Sequence, residues 1–269
     1  MIHPSVSIIT VCYNAKDLIE PTINSVRKQN YDNFEYIIID GDSNDGTKEI
    51  IEQNRDAVDQ YLSEPDKGLY YAMNKGLDLA KGDYVWFINA GDRIPHHNTL
   101  QKIMDSSYLR QDIYYGRTKI INKEGEVIGK RRLKEPEVLT KDSFLMGMLV
   151  CHQAAIVKRS LARHYNTKYK ITADYDWLLY AIEKADPTLV RHSKRTYCYF
   201  LEGGVSRKKM WQGNRERYQI MIKHYGFFKA TRYNIIMTFR FLKDKIRLIV
   251  QLKIKIMIFI ITYMTKKYI

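Results

Sequence analysis

The chain has 269 residues, of which 45% are hydrophobic and 28% charged, so it can bury a full core and is neither disordered nor of low complexity. Its three cysteines are far apart and form no CxxC pair, so neither a disulfide framework nor a thiolate zinc site is indicated, and a reducing compartment is favoured. The formal net charge is +14, but more than half of this excess lies between residues 232 and 269, where basic residues alternate with apolar ones, which disfavours a nucleic-acid-binding face.

The first 92 residues alternate between strand-like and helix-like patterns. Apolar runs typical of buried strands are followed in turn by segments with helical spacing of apolar residues. The strand-like runs are residues 6–11, 36–39 and 84–88, and the helix-like segments are residues 17–30, 48–54 and 69–80. Because each run ends in polar residues, and the carboxyl ends of parallel strands share one crevice, the pattern predicts an open α/β sheet with a nucleotide and metal site at that edge.

Beyond about residue 98 the pattern becomes mixed, and the chain ends in a basic tail. A strand-like segment at residues 112–121 is followed by a hairpin turn at residues 123–125. As a helix, the tail would place Arg240, Lys243 and Arg247 on one stripe, and its longest apolar run, residues 256–264, is shorter than the roughly 18 residues that span a bilayer. We therefore expect a basic amphipathic helix in the membrane interface; packing on its own domain or on another subunit is the alternative.

Four segments carry a resemblance to a known family. They are SIITVCYN at residues 7–14, IDGDSNDGT at residues 39–47, SEPDKGLYYAMNKG at residues 63–76 and FINAGD at residues 87–92. In this order and spacing, the chain resembles glycosyltransferase family 2, enzymes of the GT-A fold, and in particular the bacterial capsule, exopolysaccharide and O-antigen glycosyltransferases. Weaker motifs extend the resemblance to about residue 206.

The resemblance implies the fold class and the domain organisation. The fold would be α/β, with a Rossmann-like mixed, mainly parallel sheet flanked by helices and a C-terminal helical, basic amphipathic extension. Residues 1–206 would form the GT-A domain, with a nucleotide-binding half at 1–98 and an acceptor-binding half at 99–206. Residues 207–269 would form a helical membrane-associating region.

The resemblance also implies a binding site for the nucleotide-sugar donor, formed by Tyr13, Asn14, Asp40, Asp66, Lys67 and Gly68. The Tyr13 ring would stack on the base, while Asn14 and Asp40 would form hydrogen bonds with base and ribose. The loop at residues 66–68 precedes a helix, where backbone N–H groups and a cation favour a diphosphate. The simpler alternative is that Tyr13 and Asn14 close a strand, Asp40 anchors a turn, and Lys67 lies in a solvated turn.

A divalent cation, Mn²⁺ or Mg²⁺, is the implied cofactor, with Asp92 as its protein ligand. Both ions prefer oxygen ligands and can be held by one carboxylate together with phosphate oxygens. The chain departs from the family's Asp-rich triplet, because Asn89, Ala90 and Gly91 precede Asp92 and leave one carboxylate. Capping of the segment after the strand is the alternative for Asp92.

The catalytic base implied by the resemblance is Asp174, within ITADYDWLL at residues 171–179. A carboxylate suits this role because it must take the proton of the acceptor hydroxyl as that oxygen attacks the anomeric carbon. Ala173 replaces the family's Glu at the preceding position. His152 and Asp176 are implied in the sugar or acceptor pocket; the alternatives are a core histidine and a helix-start charge.

Together these features predict an inverting, metal-dependent hexosyl- or N-acetylhexosaminyltransferase. It would move one sugar from a nucleotide-diphosphate sugar, with UDP expected, to a hydroxyl of a lipid-linked saccharide in bacterial surface polysaccharide synthesis. Residues 212–215 carry the Gln and Arg of the QxxRW element of processive synthases, but Glu216 replaces the Trp and no multi-span channel follows, which favours single-sugar transfer.

No secretory signal is expected, so the predicted location is cytoplasmic and peripheral on the inner face of the cell membrane. Two other classes remain open: a nucleotidyltransferase, although residues 13–16 are not a Gly-rich phosphate loop, and a non-catalytic binding protein for a sugar nucleotide or lipid carrier.

Overall fold

The computed structural model describes residues 4–105, 110–203 and 209–243. The chain divides into two compact units, Met1–Arg217 and Tyr218–Ile269. Residues 209–217, which the sequence assigned to the C-terminal region, belong to the first unit. They are held there because the Glu216 carboxylate accepts hydrogen bonds from the backbone N–H groups of Ile171 and Thr172.

The first unit is organised by an eight-stranded sheet in the order β3-β2-β1-β4-β7-β5-β6, with β8 paired to β5. The strands are β1 (Val6–Cys12), β2 (Phe34–Asp40), β3 (Gln60–Ser63), β4 (Tyr84–Phe87), β5 (Ile113–Ile121), β6 (Val127–Lys130), β7 (Ala155–Lys158) and β8 (Val190–Leu201). β1 to β4 are mutually parallel, whereas β7 runs antiparallel to both β4 and β5. The predicted mixed, mainly parallel sheet is confirmed.

Helices cover the sheet, which is why β1 and β4 are buried along their whole length. The helices are α1 (Lys16–Arg27), α2 (Thr47–Gln53), α3 (Leu69–Leu79), α4 (Thr99–Met104), α5 (Ala173–Lys184) and α6 (Met210–Tyr225). α3 packs very closely against β1 at Gly76. A Cβ atom added there would lie 2.5 Å from the Ile9 side chain, so only glycine allows this approach. Because α3 begins shortly after β3 ends, its start lies at the carboxyl ends of the parallel strands.

The second unit is helical in its described part. α6 ends at Tyr225, Gly226 adopts a positive φ of 78°, and residues 227–243 form a further helix. The predicted helical extension is therefore present up to residue 243, while the apolar run at residues 256–264 lies outside the described residues. In the part of the chain that the structure describes, no helix combines the length and apolar character needed to cross a membrane.

Candidate active site

The carboxyl ends of β1, β2 and β3 meet in register, and an exposed aromatic ring lies at this edge. Cys12 is paired with Asp40, and Asp40 with Ser63. The next residue after β1, Tyr13, is 65% exposed, and its ring covers Gly41, where an added Cβ would be 3.2 Å from Tyr13 Cδ2. The same Cβ would be 3.6 Å from Asp66 Oδ2. Tyr13 and Asp66 thus pack against Gly41, and the rest of the Tyr13 ring is open to solvent, where it offers a face to a flat ligand such as a base.

Asp40 and Asn14 are occupied in holding the loop at residues 41–46. Asp40 is fully buried and accepts hydrogen bonds from the Ser43 backbone N–H (2.9 Å), the Ser43 hydroxyl (2.5 Å) and the Ser63 hydroxyl (2.7 Å). Asn14 has a positive φ of 46°, its backbone N–H donates to Ser43 Oγ, and its side-chain oxygen accepts from the Asn44 N–H. These contacts fit the alternative in which Asp40 anchors a turn, and they correct the prediction that its carboxylate reaches base or ribose.

The loop before α3 places Asp66, Lys67 and Gly68 at the same edge of the sheet. Asp66 Oδ1 lies 2.6 Å from Lys75 Nζ, and its side chain is 8% exposed. The Lys67 side chain is exposed, and Gly68, with a positive φ of 132°, is the N-cap residue of α3, with open space beside it. The first backbone N–H groups of a helix have no intrahelical acceptor, so this loop presents donors and one cation to an anion.

Asp92 is enclosed rather than open. It is 4% exposed, its Oδ1 accepts from the Leu201 backbone N–H and its Oδ2 from Gln153 Nε2, both at 3.0 Å. Burial raises the pKa of the Asp92 carboxyl to about 7, although these two hydrogen bonds oppose the rise. Because both oxygens are occupied inside the protein, the geometry does not fit the predicted role of Asp92 as a metal ligand. No cluster of three or more His, Cys, Asp or Glu suited to a metal occurs among residues 4–105, 110–203 and 209–243.

Asp174 lies in the first turn of α5 and keeps 21% of its side chain exposed. Its Oδ2 is 3.3 Å from His152 Nδ1, and its Oδ1 accepts from the Tyr70 hydroxyl at 3.3 Å and from the Tyr175 backbone N–H at 2.9 Å. Tyr70 stands in the first turn of α3, directly after the loop that carries Asp66. The structure therefore joins the predicted base, the predicted pocket histidine and the helix that follows the donor loop.

A short 3-10 turn, His152–Ala154, links the two aspartates. While His152 faces Asp174, the adjacent Gln153 donates to Asp92, and the Gln153 carbonyl accepts from Trp86 Nε1 of β4 at 2.8 Å. The position of Asp92 is thereby coupled through one turn to the histidine beside the base. Sequence reasoning missed both Gln153 and Tyr70. Gln153 belongs to none of the four motif segments, and Tyr70 lies within the third, residues 63–76, where it was assigned no role.

Three buried polar atoms near these residues have no hydrogen-bond partner within the described ranges: Asn89 Oδ1, His152 Nε2 and the Tyr165 hydroxyl. The Tyr165 ring stacks on Tyr70 and on Trp177, with centroid distances of 5.4 and 5.1 Å. Buried polar atoms are almost always paired in folded proteins, either with protein groups or with ordered water, so these three atoms retain the capacity to bind a water or a ligand.

Asp176 does not reach the cleft. Its side chain is fully buried and its Oδ2 is 2.6 Å from Arg163 Nη2. An aspartate two positions after Asp174 on a helix lies on a different face, so α5 directs one carboxylate toward His152 and the other into an internal ion pair. The predicted place of Asp176 in the acceptor pocket is corrected accordingly.

Glu216 is a third residue whose role the sequence did not reveal. It accepts hydrogen bonds from the backbone N–H groups of Lys170, Ile171 and Thr172, at 2.8 to 3.1 Å, just before α5 begins. Burial raises the pKa of Glu216, but these hydrogen bonds outweigh burial and leave the pKa below its ordinary value. The charged form of Glu216 therefore positions the segment from which Asp174 projects. Its one sequence signal was the departure from the QxxRW element.

Comparison with known proteins identifies the family of the chain. Residues 7–165 match the sequence model described as Glycosyl transferase family 2. An uncharacterized glycosyltransferase of Mycobacterium tuberculosis (strain CDC 1551) is 30% identical over 197 residues, covering 70% of this chain and 72% of the relative. The putative teichuronic acid biosynthesis glycosyltransferase TuaG of Bacillus subtilis (strain 168) is 33% identical over 153 residues, covering 55% of this chain and 59% of TuaG.

Solved structures share the fold. S. aureus TarS 1-349 in complex with UDP superposes with a TM-score of 0.62 at 20% identity, over 87% of this chain and 69% of that chain. The mannosyltransferase PcManGT of Pyrobaculum calidifontis, in complex with GDP-Man and Mn²⁺, superposes with a TM-score of 0.56 at 19% identity, over 86% and 65% of the two chains. The mixed sheet is thus a GT-A-type fold. On the strength of the family match and the mycobacterial relative, the chain belongs to glycosyltransferase family 2 and is a glycosyltransferase.

Proposed function

We propose that the protein is an inverting transferase that moves one hexosyl or N-acetylhexosaminyl group from a nucleotide-diphosphate sugar to a hydroxyl of a lipid-linked saccharide. The observation that carries this proposal is the state of Asp174. Its carboxylate is oriented by Tyr70 and His152 and yet remains 21% exposed, so it can reach an incoming hydroxyl. A general base needs this combination of fixed geometry and access.

The chemical step is a direct displacement. The acceptor hydroxyl gives its proton to Asp174 while its oxygen forms a bond to the anomeric carbon, and the bond from that carbon to the diphosphate oxygen breaks. The bonding electron pair leaves with the nucleotide diphosphate. Attack opposite the leaving group inverts the anomeric centre. General-base assistance of this kind contributes about 10²- to 10⁴-fold to the rate.

The donor would bind across the carboxyl ends of β1 to β3. The exposed Tyr13 ring supplies a stacking surface over Gly41, and the loop carrying Lys67 and Gly68 supplies donors for the diphosphate. We propose UDP as the nucleotide. The complexes of TarS with UDP and UDP-GlcNAc are consistent with it, although the likeness to TarS extends to the fold alone.

The proposal assigns no step to a metal ion. Asp92, the residue implied as the ligand, is enclosed with both oxygens bonded to the protein. The donor screen described below compares nucleotide release with Mn²⁺, with Mg²⁺ and with EDTA, and so measures whether a divalent cation is required.

A lipid-linked acceptor and a peripheral place on the inner face of the cell membrane are further parts of the proposal. In the second unit, the helix at residues 227–243 exposes large apolar side chains: Phe227, Phe228, Ile235, Ile236, Phe239, Phe241 and Leu242. Basic residues Lys229, Arg232, Arg240 and Lys243 are exposed on the same helix. A helix with this composition suits the surface of an anionic bilayer. The TuaG relative, named for teichuronic acid biosynthesis, supports a role in surface polysaccharide synthesis.

A donor screen tests the proposal. Purified full-length protein is incubated with UDP-, GDP- and dTDP-sugars, with Mn²⁺, with Mg²⁺ or with EDTA, and with or without a bacterial lipid extract, and nucleotide release is followed. We expect lipid-stimulated release from one donor that is lost in Asp174→Asn and retained in Asp32→Asn, a matched change at an exposed aspartate. If one donor binds but is never turned over, the protein is a sugar-nucleotide binding protein and the proposal fails.

A further inference from the structure

A strongly basic cleft lies on β5 and β6, outside the residues assigned above. It has a volume of about 440 Å³. Five cations and one carboxylate line it: Arg117, Lys119, Lys130, Arg131, Lys134 and Glu135. This is a concentration of charge in a part of the chain that the basic tail does not explain.

Two of these cations stand directly opposite each other. β5 and β6 are antiparallel, and their register pairs Lys119 with Lys130. Side chains of directly opposed residues lie on one face of a sheet about 5 Å apart at Cβ, and like charges in such a pair destabilise it. An anion bound between the two ammonium groups would convert this repulsion into attraction.

The protein itself supplies little neutralisation. Arg117 Nε lies 3.3 Å from Glu135 Oε1, and Arg131 donates to the carbonyl oxygens of Met148 and Leu149, which carry no charge. Within the ranges that the structure describes, Lys119, Lys130 and Lys134 have no carboxylate at ion-pair distance. The cleft therefore keeps several cations available to an external anion.

The cleft lies toward the carboxyl ends of the parallel strands, the same end of the sheet as the candidate active site. β7 is antiparallel to both β4 and β5, so β5 runs in the direction of β4, and Lys119 is close to its carboxyl end. β8 is parallel to β5 and pairs Leu201 with Ile121, and the Leu201 backbone N–H donates to Asp92. A molecule that enters the active site from this side of the sheet would pass the cleft.

We propose that this cleft binds a diphosphate group carried by the acceptor, with Lys119 and Lys130 as its principal contacts. That the diphosphate belongs to the acceptor rests on the proposed function; the anion site itself does not. Two ammonium groups in register, joined by Arg117 and Lys134, match a compact group that carries two or three negative charges.

The test is a calorimetric titration of the full-length protein with inorganic pyrophosphate and with farnesyl diphosphate, in EDTA and with UDP present to fill the donor site. The cleft variant is Lys119→Gln/Lys130→Gln, and the matched control is Lys28→Gln/Lys102→Gln, two exposed lysines elsewhere in the first unit. We expect the affinity for pyrophosphate to fall about tenfold or more in the cleft variant and to be unchanged in the control. The cleft variant should also melt no lower than wild type, since a repulsive pair has been removed.

The results separate the possible sources of the anion and the possible failures. Tighter binding of farnesyl diphosphate than of pyrophosphate would identify a lipid carrier, and equal affinities would identify the diphosphate alone; both support the site. Wild-type affinity for pyrophosphate in the cleft variant would overturn the proposal. A single-stranded oligonucleotide of matched charge is titrated as well, and the proposal would also be overturned if the cleft variant lost as much affinity for it as for pyrophosphate. The titration uses no sugar donor and needs no turnover. The anion site can therefore be supported when the donor screen fails, and it can be overturned when the donor screen succeeds.

Discussion

The start of α5 and the end of β4 both carry an aspartate that a family motif singles out, and the structure treats the two in opposite ways. Asp174 keeps 21% of its side chain exposed and has contacts of 3.3 Å to His152 and Tyr70. Asp92 is 4% exposed, and a hydrogen bond of 3.0 Å occupies each of its oxygens. The difference teaches that a carboxylate within a motif can serve only to accept hydrogen bonds inside the protein. The exposed fraction of its side chain distinguishes a group that can react with a ligand from one that holds the structure.

The local backbone explains why Asp92 turns inward. Gly91 has a positive φ of 95°, and its backbone N–H donates to the Thr22 hydroxyl oxygen at 3.0 Å, while the Thr22 hydroxyl donates to the Asp92 carbonyl at 2.8 Å. These bonds tie the end of β4 to α1 and direct the Asp92 side chain toward Gln153 and Leu201. Before the start of α5, the backbone N–H groups instead donate to Glu216, a side chain from a different helix. The Asp174 side chain is not needed to hold this segment and can face a ligand.

The largest effect is expected when the open carboxylate is removed. Asp174→Asn should lower kcat by about 10²- to 10⁴-fold, because the amide cannot take the acceptor proton. Its thermal melting temperature should remain near that of wild type, since Asn still accepts a hydrogen bond. Steady-state kinetics with a matched Asp32→Asn control measure the change. A kcat within about threefold of wild type would assign the base elsewhere.

A pH titration of stability sharpens the comparison at Asp92. The pKa of Asp92 is about 7 in the folded protein and near its ordinary value of 3.8 in the unfolded chain. The folded state therefore retains a proton that the unfolded chain loses, so the free energy of unfolding falls as pH rises from about 4 to 7 and is level above that range. Asp92→Asn removes this dependence and should gain stability relative to wild type across the window, by up to roughly 4 kcal/mol.

Urea unfolding of wild type and Asp92→Asn at pH 4.5, 6 and 8 measures this difference. If the free energies of unfolding of wild type and Asp92→Asn differ by the same amount at all three pH values, Asp92 is ionised and open in solution. Repeating the series with EDTA and with Mn²⁺ adds a second criterion, because a cation bound at Asp92 would stabilise wild type but not the variant.

The buried pair on α5 should affect stability and leave catalysis intact. Asp176→Ala leaves Arg163 without its partner at 2.6 Å and should destabilise the protein by about 3 kcal/mol or somewhat less, since the Arg163 side chain is 30% exposed. The kcat and the acceptor KM of the folded fraction should match those of wild type. A raised acceptor KM without loss of stability would return Asp176 to the acceptor pocket.

The smallest effect is expected at Tyr13. Tyr13→Ala should raise the donor KM by about three- to tenfold, because a stacked aromatic ring contributes about 0.5–1.5 kcal/mol. Tyr13→Phe keeps the ring and should keep the KM. Since Tyr13 is 65% exposed, neither change should lower the melting temperature. An unchanged donor KM in Tyr13→Ala would contradict the stacking role.

Much of this protein could be predicted from its residues alone. The alternation of apolar runs and helical spacing fixed the parallel strands β1, β2 and β4 and the helices between them, because burial on both faces of a parallel sheet requires such runs. The four motifs identified the family, and ITADYDWLL placed Asp174 at the start of a helix. These are local properties, readable from a short stretch of chain.

The tertiary structure alone decided which polar groups are available to a ligand. Asp40, Asp92 and Asp176 are enclosed by Ser63, Gln153 and Arg163, partners 23, 61 and 13 residues away along the chain. Glu216 reaches the segment before α5 from 44 to 46 residues away, and the pairing of Lys119 with Lys130 depends on the register of β5 and β6. A side chain becomes structural or reactive according to the neighbours that the fold brings to it, and those neighbours are distant in sequence, so no local pattern records them.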